Sequence, residues 1–344
     1  MPLLEVKDLS VELHTHRGPA FAVRDVSFAL EPGETLGIVG ESGSGKSLTV
    51  LAILGLLPEH ARVTGSIVFE GRELVGQPER AMCALRGDRI GMIFQEPMTA
   101  LNPVHTVGHQ VAEPLRLHRG VSASAARKEA IALLDRVGIP DAARRIDAYP
   151  HQFSGGQRQR ITIAMALACG PDLLIADEPT TALDVTIQRQ ILDLIRELVA
   201  ERHMALILIS HNLGVIAHNV QRMLVMYGGS VVESGPTTSV FAHRRHPYTL
   251  GLFAARPGLR AMKGQRLATI PGTVPDLVDL PRGCPFAGRC GWTIPECDAG
   301  LPAAVEVEEG HRARCIRLEV VGSERRAGSA PTPALPRRGR EEQP

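Results

Sequence analysis

The segment Gly-Glu-Ser-Gly-Ser-Gly-Lys-Ser at residues 40–47, here called the phosphate loop, combines glycines with a lysine and a serine at a spacing suited to phosphate groups. Its glycines permit positive φ angles and leave no Cβ in the way, so successive backbone N–H groups can point at phosphate oxygens near a helix N-terminus. Lys46 supplies a positive charge for β- and γ-phosphates, and the Ser47 hydroxyl can bind Mg²⁺. The apolar run 35–39 predicts a strand and residues 48–57 predict a helix, which is the setting that such a loop needs.

Polar side chains also follow three other apolar runs. Asp177 and Glu178 end the run 173–176; one acid can hold Mg²⁺ while the other orients or deprotonates an attacking water, as phosphoryl transfer requires. A purely structural role is disfavoured, because two adjacent acids are costly to bury without cations. Gln95 and His211 end two further predicted strands, and ligands of open α/β sheets bind at the carboxyl ends of strands. Alone, each of these two is more often a surface residue.

A second helix start suited to an anion is predicted at Ser154–Gln157, here called the signature segment. Ser154 is a good N-cap, and the two glycines that follow expose backbone N–H groups near the positive end of the helix dipole. Without the neighbouring motifs, an ordinary capped helix would be the preferred interpretation.

The elements that must position these residues follow from periodicity. Residues 3–30 alternate apolar and polar side chains, which predicts antiparallel strands joined by a turn at 14–20. Residues 98–153 change to helical periodicity, and prolines such as Pro114 are predicted to separate the helical segments. The sequence therefore indicates a helical insertion between two halves of one sheet. Gly228-Gly229 marks a hairpin further along the chain.

Composition excludes several classes of protein. Among 344 residues, 38 lysines and arginines nearly balance 37 aspartates and glutamates, so the chain has no large net positive charge that would attract nucleic acid or an anionic membrane surface. No apolar run approaches the roughly 18 residues of a membrane span, and the N-terminus lacks a signal peptide's apolar core. We therefore expect a cytoplasmic chain that is soluble on its own. Aromatic residues make up 3% of the chain, which predicts an aliphatic core.

In their order along the chain, these motifs resemble the ATP-binding subunits of ABC transporters, and the resemblance spans residues 3–255. It implies an α/β fold of the P-loop NTPase class, the ABC nucleotide-binding domain, with an antiparallel β subdomain and a helical subdomain inserted at 98–153. It also implies an ATPase that works as a sandwich dimer. Each ATP would lie between the phosphate loop of one subunit and the signature segment of the other.

The same resemblance implies roles for individual residues. ATP would be bound by the phosphate loop together with a glutamine and an aspartate: Gly40, Glu41, Ser42, Gly43, Ser44, Gly45, Lys46, Ser47, Gln95 and Asp177. Mg²⁺ would be held by Ser47, Gln95 and Asp177. The catalytic residues would be Glu178 as base, His211 as stabiliser of the γ-phosphate and holder of the water, and Gln95. The partner's ATP would be closed by Ser154, Gly155, Gly156 and Gln157, and Asp184 would belong to the loop after the acids.

Two positions depart from the family pattern or leave it open. Phe153 stands where the family often has leucine before Ser-Gly-Gly-Gln, and both are apolar anchors. The aromatic residue that stacks on the base is not clear, because Phe21 is the nearest aromatic whereas Arg17 lies nearer the usual spacing.

Segments 95–103, 176–186, 246–249 and 270–277 resemble the oligopeptide/dipeptide importers within this family. The resemblance implies a peripheral subunit on the inner face of the cell membrane, with two permease subunits, a second ATPase that is a different chain or a copy, and a substrate-binding protein. No nucleic-acid partner is expected. Nickel or glutathione import by the same machinery is an alternative, and a soluble ABC ATPase acting on DNA or the ribosome is another. We expect an ATPase domain at 1–255, an importer-type extension at 256–320 and a disordered tail at 321–344.

Four of the six cysteines cluster near the C-terminus, with five, six and seventeen residues between successive members: Cys284, Cys290, Cys297 and Cys315. In a cytoplasmic chain such a set indicates metal or cluster binding rather than disulfides, and four thiolates suit zinc or an iron–sulfur cluster. The peptide-importer resemblance implies a [4Fe-4S] cluster, which we rank before zinc and before free thiols, with a role in stapling the fold. Cys83 and Cys169 are expected to be ordinary buried or partly buried thiols.

Overall fold

The computed structural model of the chain describes residues 1–181, 183–255 and 269–323, apart from the side chains of residues 97, 98, 322 and 323. The predicted disordered tail at 321–344 lies outside these residues except for its first three, which end a helix. No helix in the described ranges is long and apolar enough to cross a membrane.

The strands of the described residues are, in chain order, β1 (Leu4–Thr15), β2 (Gly18–Leu30), β3 (Thr35–Val39), β4 (Arg62–Phe69), β5 (Arg72–Glu73), β6 (Ile90–Ile93), β7 (Leu173–Asp177), β8 (Ala205–Ile209), β9 (Arg222–Tyr227), β10 (Ser230–Pro236), β11 (Val305–Glu308) and β12 (His311–Ala313). The helices are α1 (Lys46–Ile53), α2 (Glu79–Cys83), α3 (Pro97–Ala100), α4 (Val107–Arg119), α5 (Ala123–Arg136), α6 (Ala142–Arg145), α7 (Gly155–Leu167), α8 (Val185–Arg202), α9 (Leu213–Asn219), α10 (Thr237–Ala242), α11 (Pro247–Ala254) and α12 (Leu318–Ser323). Short 3₁₀ turns occupy residues 150–152, 277–279, 287–289 and 295–298.

The smaller sheet is antiparallel and has the order β2-β1-β4-β5. In β1, Leu4 lies opposite Leu30 on one side and Phe69 on the other. This confirms the antiparallel strands predicted from the alternation of apolar and polar residues. The turn between β1 and β2 is two residues long and therefore tighter than the predicted segment 14–20.

The larger sheet has a parallel centre and the order β11-β12-β10-β9-β3-β8-β7-β6. Strand β3 pairs in parallel with β9 and β8, and the parallel pairing continues through β7 to β6. The predicted hairpin joins β9 to β10 through Gly228 and Gly229, whose φ angles are 52° and 79°. Because β3, β6, β7 and β8 run in the same direction, the residues that follow them lie along one edge of the sheet.

Two aliphatic clusters cover the two faces of the parallel strands. In β7, Leu173 and Ile175 pack with the antiparallel sheet and α1, whereas Leu174 and Ala176 pack with the helices on the other side. A parallel strand that is buried on both faces reads as a continuous apolar run, as β7 does.

The helical insertion is formed mainly by α4 and α5. Thr106 and Ser122 cap these helices, because their hydroxyls accept hydrogen bonds from backbone N–H groups three residues later, at 3.3 Å in each case. Pro114 lies inside α4, so the prediction that it separates two helical segments is wrong. The buried face of α4, which includes Val111 and Leu115, stabilises the helix against the missing hydrogen bond.

The C-terminal segment packs onto both sheets. Strand β12 pairs with β10, where Ala313 lies opposite Glu233, so the β11–β12 hairpin extends the larger sheet. Arg314 donates to the carboxylate of Asp25 on β2 at 2.6 Å. The boundaries at 255 and 320 stay predictions.

Candidate nucleotide-binding site

The phosphate loop runs from the end of β3 to the start of α1, as predicted. Gly43 and Gly45 have φ angles of 77° and 97°, which glycine adopts at little cost. Gly40 has another reason to be glycine, because a Cβ there would lie 2.2 Å from the backbone oxygen of Met226. The glycines therefore serve both the curvature of the loop and its close contact with β9.

Lys46 is buried at the first turn of α1. Its Nζ donates to the carbonyl oxygens of Gly40 and Glu41, at 2.9 Å each. Burial lowers the pKa of Lys46, and the negative charges of Glu178 and Asp177 oppose that change. The ammonium group thus lies close to the loop backbone and to both predicted acids.

Asp177 is the last residue of β7 and is 5% exposed. Burial raises the pKa of its carboxyl, while a hydrogen bond from Ser47 and the charge of Lys46 lower it. Its Oδ1 is buried and has no hydrogen-bond partner among the described residues. A buried carboxylate oxygen without a donor, beside a serine hydroxyl, fits the oxygen ligand set that Mg²⁺ prefers.

Glu178, Gln95 and His211 come together, as expected for residues at the carboxyl ends of neighbouring parallel strands. One carboxylate oxygen, Glu178 Oε2, lies 3.3 Å from Gln95 Nε2, 3.1 Å from His211 Nδ1 and 3.0 Å from Thr181 Oγ1. The Glu178 side chain is 15% exposed and that of His211 is 65% exposed. A carboxylate oriented by three polar groups and reached from solvent beside an imidazole can act on a water molecule.

The backbone turns sharply at Glu178. Its φ angle is 46°, in the left-handed region that non-glycine residues adopt at a cost of about 1–2 kcal/mol. Its N–H donates to Ile209 at the end of β8, and its carbonyl accepts from Thr181 N–H. Strand β7 therefore ends at Asp177, and the candidate base that follows it has a left-handed backbone conformation.

The signature segment forms the N-terminus of α7. Ser154 caps α7: its hydroxyl accepts from Gln157 N–H at 3.3 Å, and the Gln157 side chain accepts from Ser154 N–H at 3.2 Å. Gly156 packs so closely on α8 that a Cβ there would lie 2.9 Å from Ile187. Asp184 caps α8 by accepting from Ile187 N–H at 3.0 Å. The predicted helix start is confirmed, and the roles of these residues toward a partner's ATP stay predictions.

The two candidates for stacking on the base of ATP differ in whether their side chains are engaged by other residues. Phe21 on β2 is 48% exposed. Arg17, in the turn between β1 and β2, donates to both carboxylate oxygens of Asp279 at 2.8 and 2.6 Å. The assignment of the stacking residue stays open between them.

Sequence reasoning missed three side chains at this site. Thr181 holds Glu178, the Tyr248 hydroxyl accepts from Glu41 N–H at 2.8 Å, and Arg289 contacts the Glu41 carboxylate at 2.7 Å. Thr181 lies within segment 176–186 and Tyr248 lies within segment 246–249, both of which resemble the peptide importers. No local pattern pointed to Arg289, because its partner is 248 residues away.

The four C-terminal cysteines line one small cavity, together with side chains that include Phe286 and Trp292. Burial, with smaller contributions from the other thiols, raises the pKa of Cys284 to about 11. Among the described residues, no group of three or more His, Cys, Asp or Glu side chains is arranged to hold a metal ion.

The other two cysteines differ from each other. Cys169 is buried, whereas Cys83 is exposed and donates to Glu79 on the outer face of α2 at 3.3 Å. The expectation that both are at least partly buried is therefore wrong for Cys83, because α2 is short and buries only Met82.

Comparisons with known proteins agree with this geometry. Residues 23–181 match the family described as ABC transporter, and residues 232–297 match the oligopeptide/dipeptide transporter C-terminal region. A Brucella ovis protein named as a peptide import ATP-binding protein is 51% identical over 94% of this chain and 99% of its own length. The oligopeptide transport ATP-binding protein OppD of Salmonella typhimurium is 51% identical over 87% of this chain and 89% of its own.

A solved structure shares the fold. The ATP-binding cassette MJ0796, in a dimeric post-hydrolysis state with ADP and phosphate, is 28% identical and has a TM-score of 0.62. The match covers 68% of this chain and 98% of that one. With its phosphate loop, its paired acids and its transporter-type C-terminal region, this chain belongs to the ATP-hydrolysing subunits of ABC transporters, in the oligopeptide/dipeptide transporter group.

Proposed function

We propose that this chain powers the import of di- or oligopeptides from the inner face of a cell membrane, with two permeases, a second ATPase and a substrate-binding protein. The observation that carries the ATP-hydrolysing part of this proposal is the convergence of Lys46, Asp177 and Glu178 at the carboxyl edge of a parallel sheet. ATP binding would close the two ATPases and move the permeases, and hydrolysis would reopen them.

The site geometry supports the following division of roles. Backbone N–H groups of residues 43–47 and the Lys46 ammonium bind the phosphates, and Mg²⁺ would supply charge neutralisation at the β- and γ-phosphates. Ser47, Asp177 and Gln95 would hold that ion. Glu178 takes the proton of the attacking water, and His211, 3.1 Å from the same carboxylate oxygen, orients the water.

The partner ATPase completes each site in this proposal. The signature segment is anchored to α8 through the contact between Gly156 and Ile187. A glycine-rich helix start that is capped yet has free N–H groups can close on the γ-phosphate of an ATP held by another subunit.

The peptide substrate rests on the relatives. Two relatives that are 51% identical over most of their lengths carry names for peptide import or oligopeptide transport. Nickel or glutathione import and a soluble role on DNA or the ribosome are not favoured by these relatives.

We further propose that Cys284, Cys290, Cys297 and Cys315 bind a [4Fe-4S] cluster, with zinc and free thiols as the second and third alternatives. The support is that all four thiols line one cavity, together with the importer resemblance. A bound cluster would staple a segment whose regular elements between Cys284 and Cys315 are two 3₁₀ turns and the short strands β11 and β12. Brown protein with iron and sulfide after anaerobic purification, lost in Cys290→Ser, would support the cluster; a colourless, zinc-loaded wild type would exclude it.

The ATPase chemistry is tested with Glu178→Gln, which keeps the shape of the base but cannot take the proton. We expect ATP binding to be retained and turnover to collapse, and undiminished hydrolysis would remove Glu178 from the role of base. Glu59→Gln, at an exposed position, is the matched control.

The same variant serves as bait, because it should hold the ATP-closed state. Tagged Glu178→Gln is purified from native membranes with ATP and Mg²⁺, and the retained proteins are identified by mass. Permeases with a second ATPase would support the import function. Ribosomal proteins or nucleic acid without permeases would overturn it while leaving the ATPase chemistry in place.

A further inference from the structure

The cysteine-containing segment contacts the phosphate loop through one ion pair. Arg289, in the 3₁₀ turn just before Cys290, donates from Nη1 to Glu41 Oε2 at 2.7 Å and from Nη2 to Glu41 Oε1 at 3.3 Å. The Arg289 side chain is 7% exposed and that of Glu41 is 27% exposed. A two-pronged pair at this depth fixes both the position and the orientation of the carboxylate.

The guanidinium of Arg289 is held on its other sides as well. It donates to the carbonyl oxygens of Pro271 at 2.8 Å and Gly272 at 3.3 Å, and to the Tyr227 hydroxyl at 3.2 Å. Its carbon Cζ lies 5.7 Å from the centre of the Tyr227 ring. With so many of its donors in use, this arginine is a rigid support rather than a mobile surface charge.

Glu41 is in turn attached at three points. Its side chain is held by Arg289, its N–H donates to the buried Tyr248 hydroxyl at 2.8 Å, and its carbonyl accepts from Lys46 Nζ at 2.9 Å. Residue 41 is the second residue of the phosphate loop, so these contacts fix the loop where it leaves β3.

Arg289 compensates the negative charge of Glu41, which would otherwise weaken the binding of phosphate groups by the loop. The phosphate loop must bind a polyanion, and a carboxylate within the loop opposes that by like-charge repulsion. The negative charge of Glu41 interacts with the Lys46 ammonium at the centre of the site, as the charges of Glu178 and Asp177 also do.

We propose that Arg289 is a positioning residue for ATP, which neutralises Glu41 and holds the start of the phosphate loop in its binding shape. The proposal rests on the proposed ATP-binding role of the loop. It also makes the cysteine cavity a support for nucleotide binding, since Arg289 directly precedes Cys290, and its turn is joined to Cys284 by a 3.0 Å hydrogen bond from Ala287 N–H.

The test is a double-mutant cycle in the full-length chain, with equilibrium binding of ATP and of ADP measured in the presence of Mg²⁺. Arg289→Met should weaken ATP binding by about tenfold or more, because it leaves a partly buried carboxylate unpaired. ADP, which carries less negative charge, should lose less affinity. Glu41→Gln in the Arg289→Met background should restore most of the lost affinity, and Arg289→Lys should lie between wild type and Arg289→Met.

Arg127→Met is the matched control, because it breaks another two-pronged arginine–carboxylate pair, with Asp147 at 2.6 and 2.7 Å, in the helical insertion. Its ATP affinity should equal that of the wild type. If Arg289→Met fails to fold, Arg289→Lys and the double variant still carry the comparison.

Three results would overturn the proposal while the wild type binds ATP. The first is unchanged affinity in Arg289→Met, and the second is a loss that Glu41→Gln does not restore. The third is an equal loss for ATP and ADP. Failure of the wild type itself to bind ATP would instead refute the proposed function. For the cysteine coupling, Cys290→Ser should weaken ATP binding in the wild type but add nothing to Arg289→Met; full additivity would refute the coupling.

Discussion

Glu233, on β10, joins the C-terminal hairpin to the larger sheet through a buried contact with His311. Its side chain and that of His311 are both fully buried, and His311 Nε2 lies 2.8 Å from Glu233 Oε1. The same carboxylate accepts from the backbone N–H groups of Arg245 at 2.7 Å and His246 at 2.9 Å. Three donors from two segments therefore depend on one acid.

Glu233→Ala should destabilise this part of the chain by about 4 kcal/mol. Each of the three buried donors left without an acceptor costs about 1–3 kcal/mol, and these costs do not add fully. Glu233→Gln keeps the volume and one acceptor oxygen, but its amide NH₂ would meet a donor such as His246 N–H. A cost of about 2 kcal/mol is expected for that variant.

Trp292 is the single tryptophan of the chain and lies in the cysteine-containing segment, so its fluorescence reports on that segment. Urea unfolding followed by this fluorescence should shift to lower urea in the order wild type, Glu233→Gln, Glu233→Ala. Far-UV circular dichroism measures the whole chain in parallel. Glu309→Ala, an exposed residue in the turn between β11 and β12, is the control and should change stability by less than about 0.5 kcal/mol. A change of that small size in Glu233→Ala would refute the reasoning.

Three further perturbations have defined outcomes. Gly40→Ala should abolish ATP binding, because its Cβ would lie 2.2 Å from Met226 O; normal binding would contradict the need for glycine there. Asp184→Ala should cost about 1 kcal/mol in urea unfolding through the lost cap on Ile187 N–H, whereas Asp184→Asn should not. Burial lowers the pKa of His246 from 6.5 to about 4, so its contribution to stability is complete above pH 6.5 and is lost as the pH falls toward 4. His246→Asn should therefore lose about 3 kcal/mol less stability than the wild type over that range; equal losses would contradict it.

The parts of this structure that could be predicted from the sequence are those encoded locally. The phosphate loop, the two acids at the end of β7 and the cap at Ser154 each depend on residues within a few positions of one another. Their assembly into one site also follows, because parallel strands bring their carboxyl ends to a common edge. Glu178, Gln95 and His211 meet for that reason.

The contacts that escaped prediction join distant segments. Arg289 contacts Glu41, and β12 pairs with β10. These residues are so far apart in the sequence that the local pattern of apolar and polar residues does not predict their contacts. For Pro114 the local signal gave the wrong prediction. Proline usually breaks a helix, but it is tolerated inside α4 because that helix buries a sufficient apolar face. Cys83 shows the same limit, because residue type alone did not reveal that its short helix faces solvent.

The pairing of β12 with β10 also bears on how the molecule avoids self-association. Without the C-terminal hairpin, β10 would present an open row of backbone donors and acceptors to any other extended chain, which is the usual starting point of aggregation. The hairpin replaces that border with β11, a strand of four residues that carries Glu306 and Glu308. A short, acidic border repels a second copy of itself. A chain truncated before residue 305 is therefore expected to aggregate during synthesis or storage, even if its nucleotide site were intact.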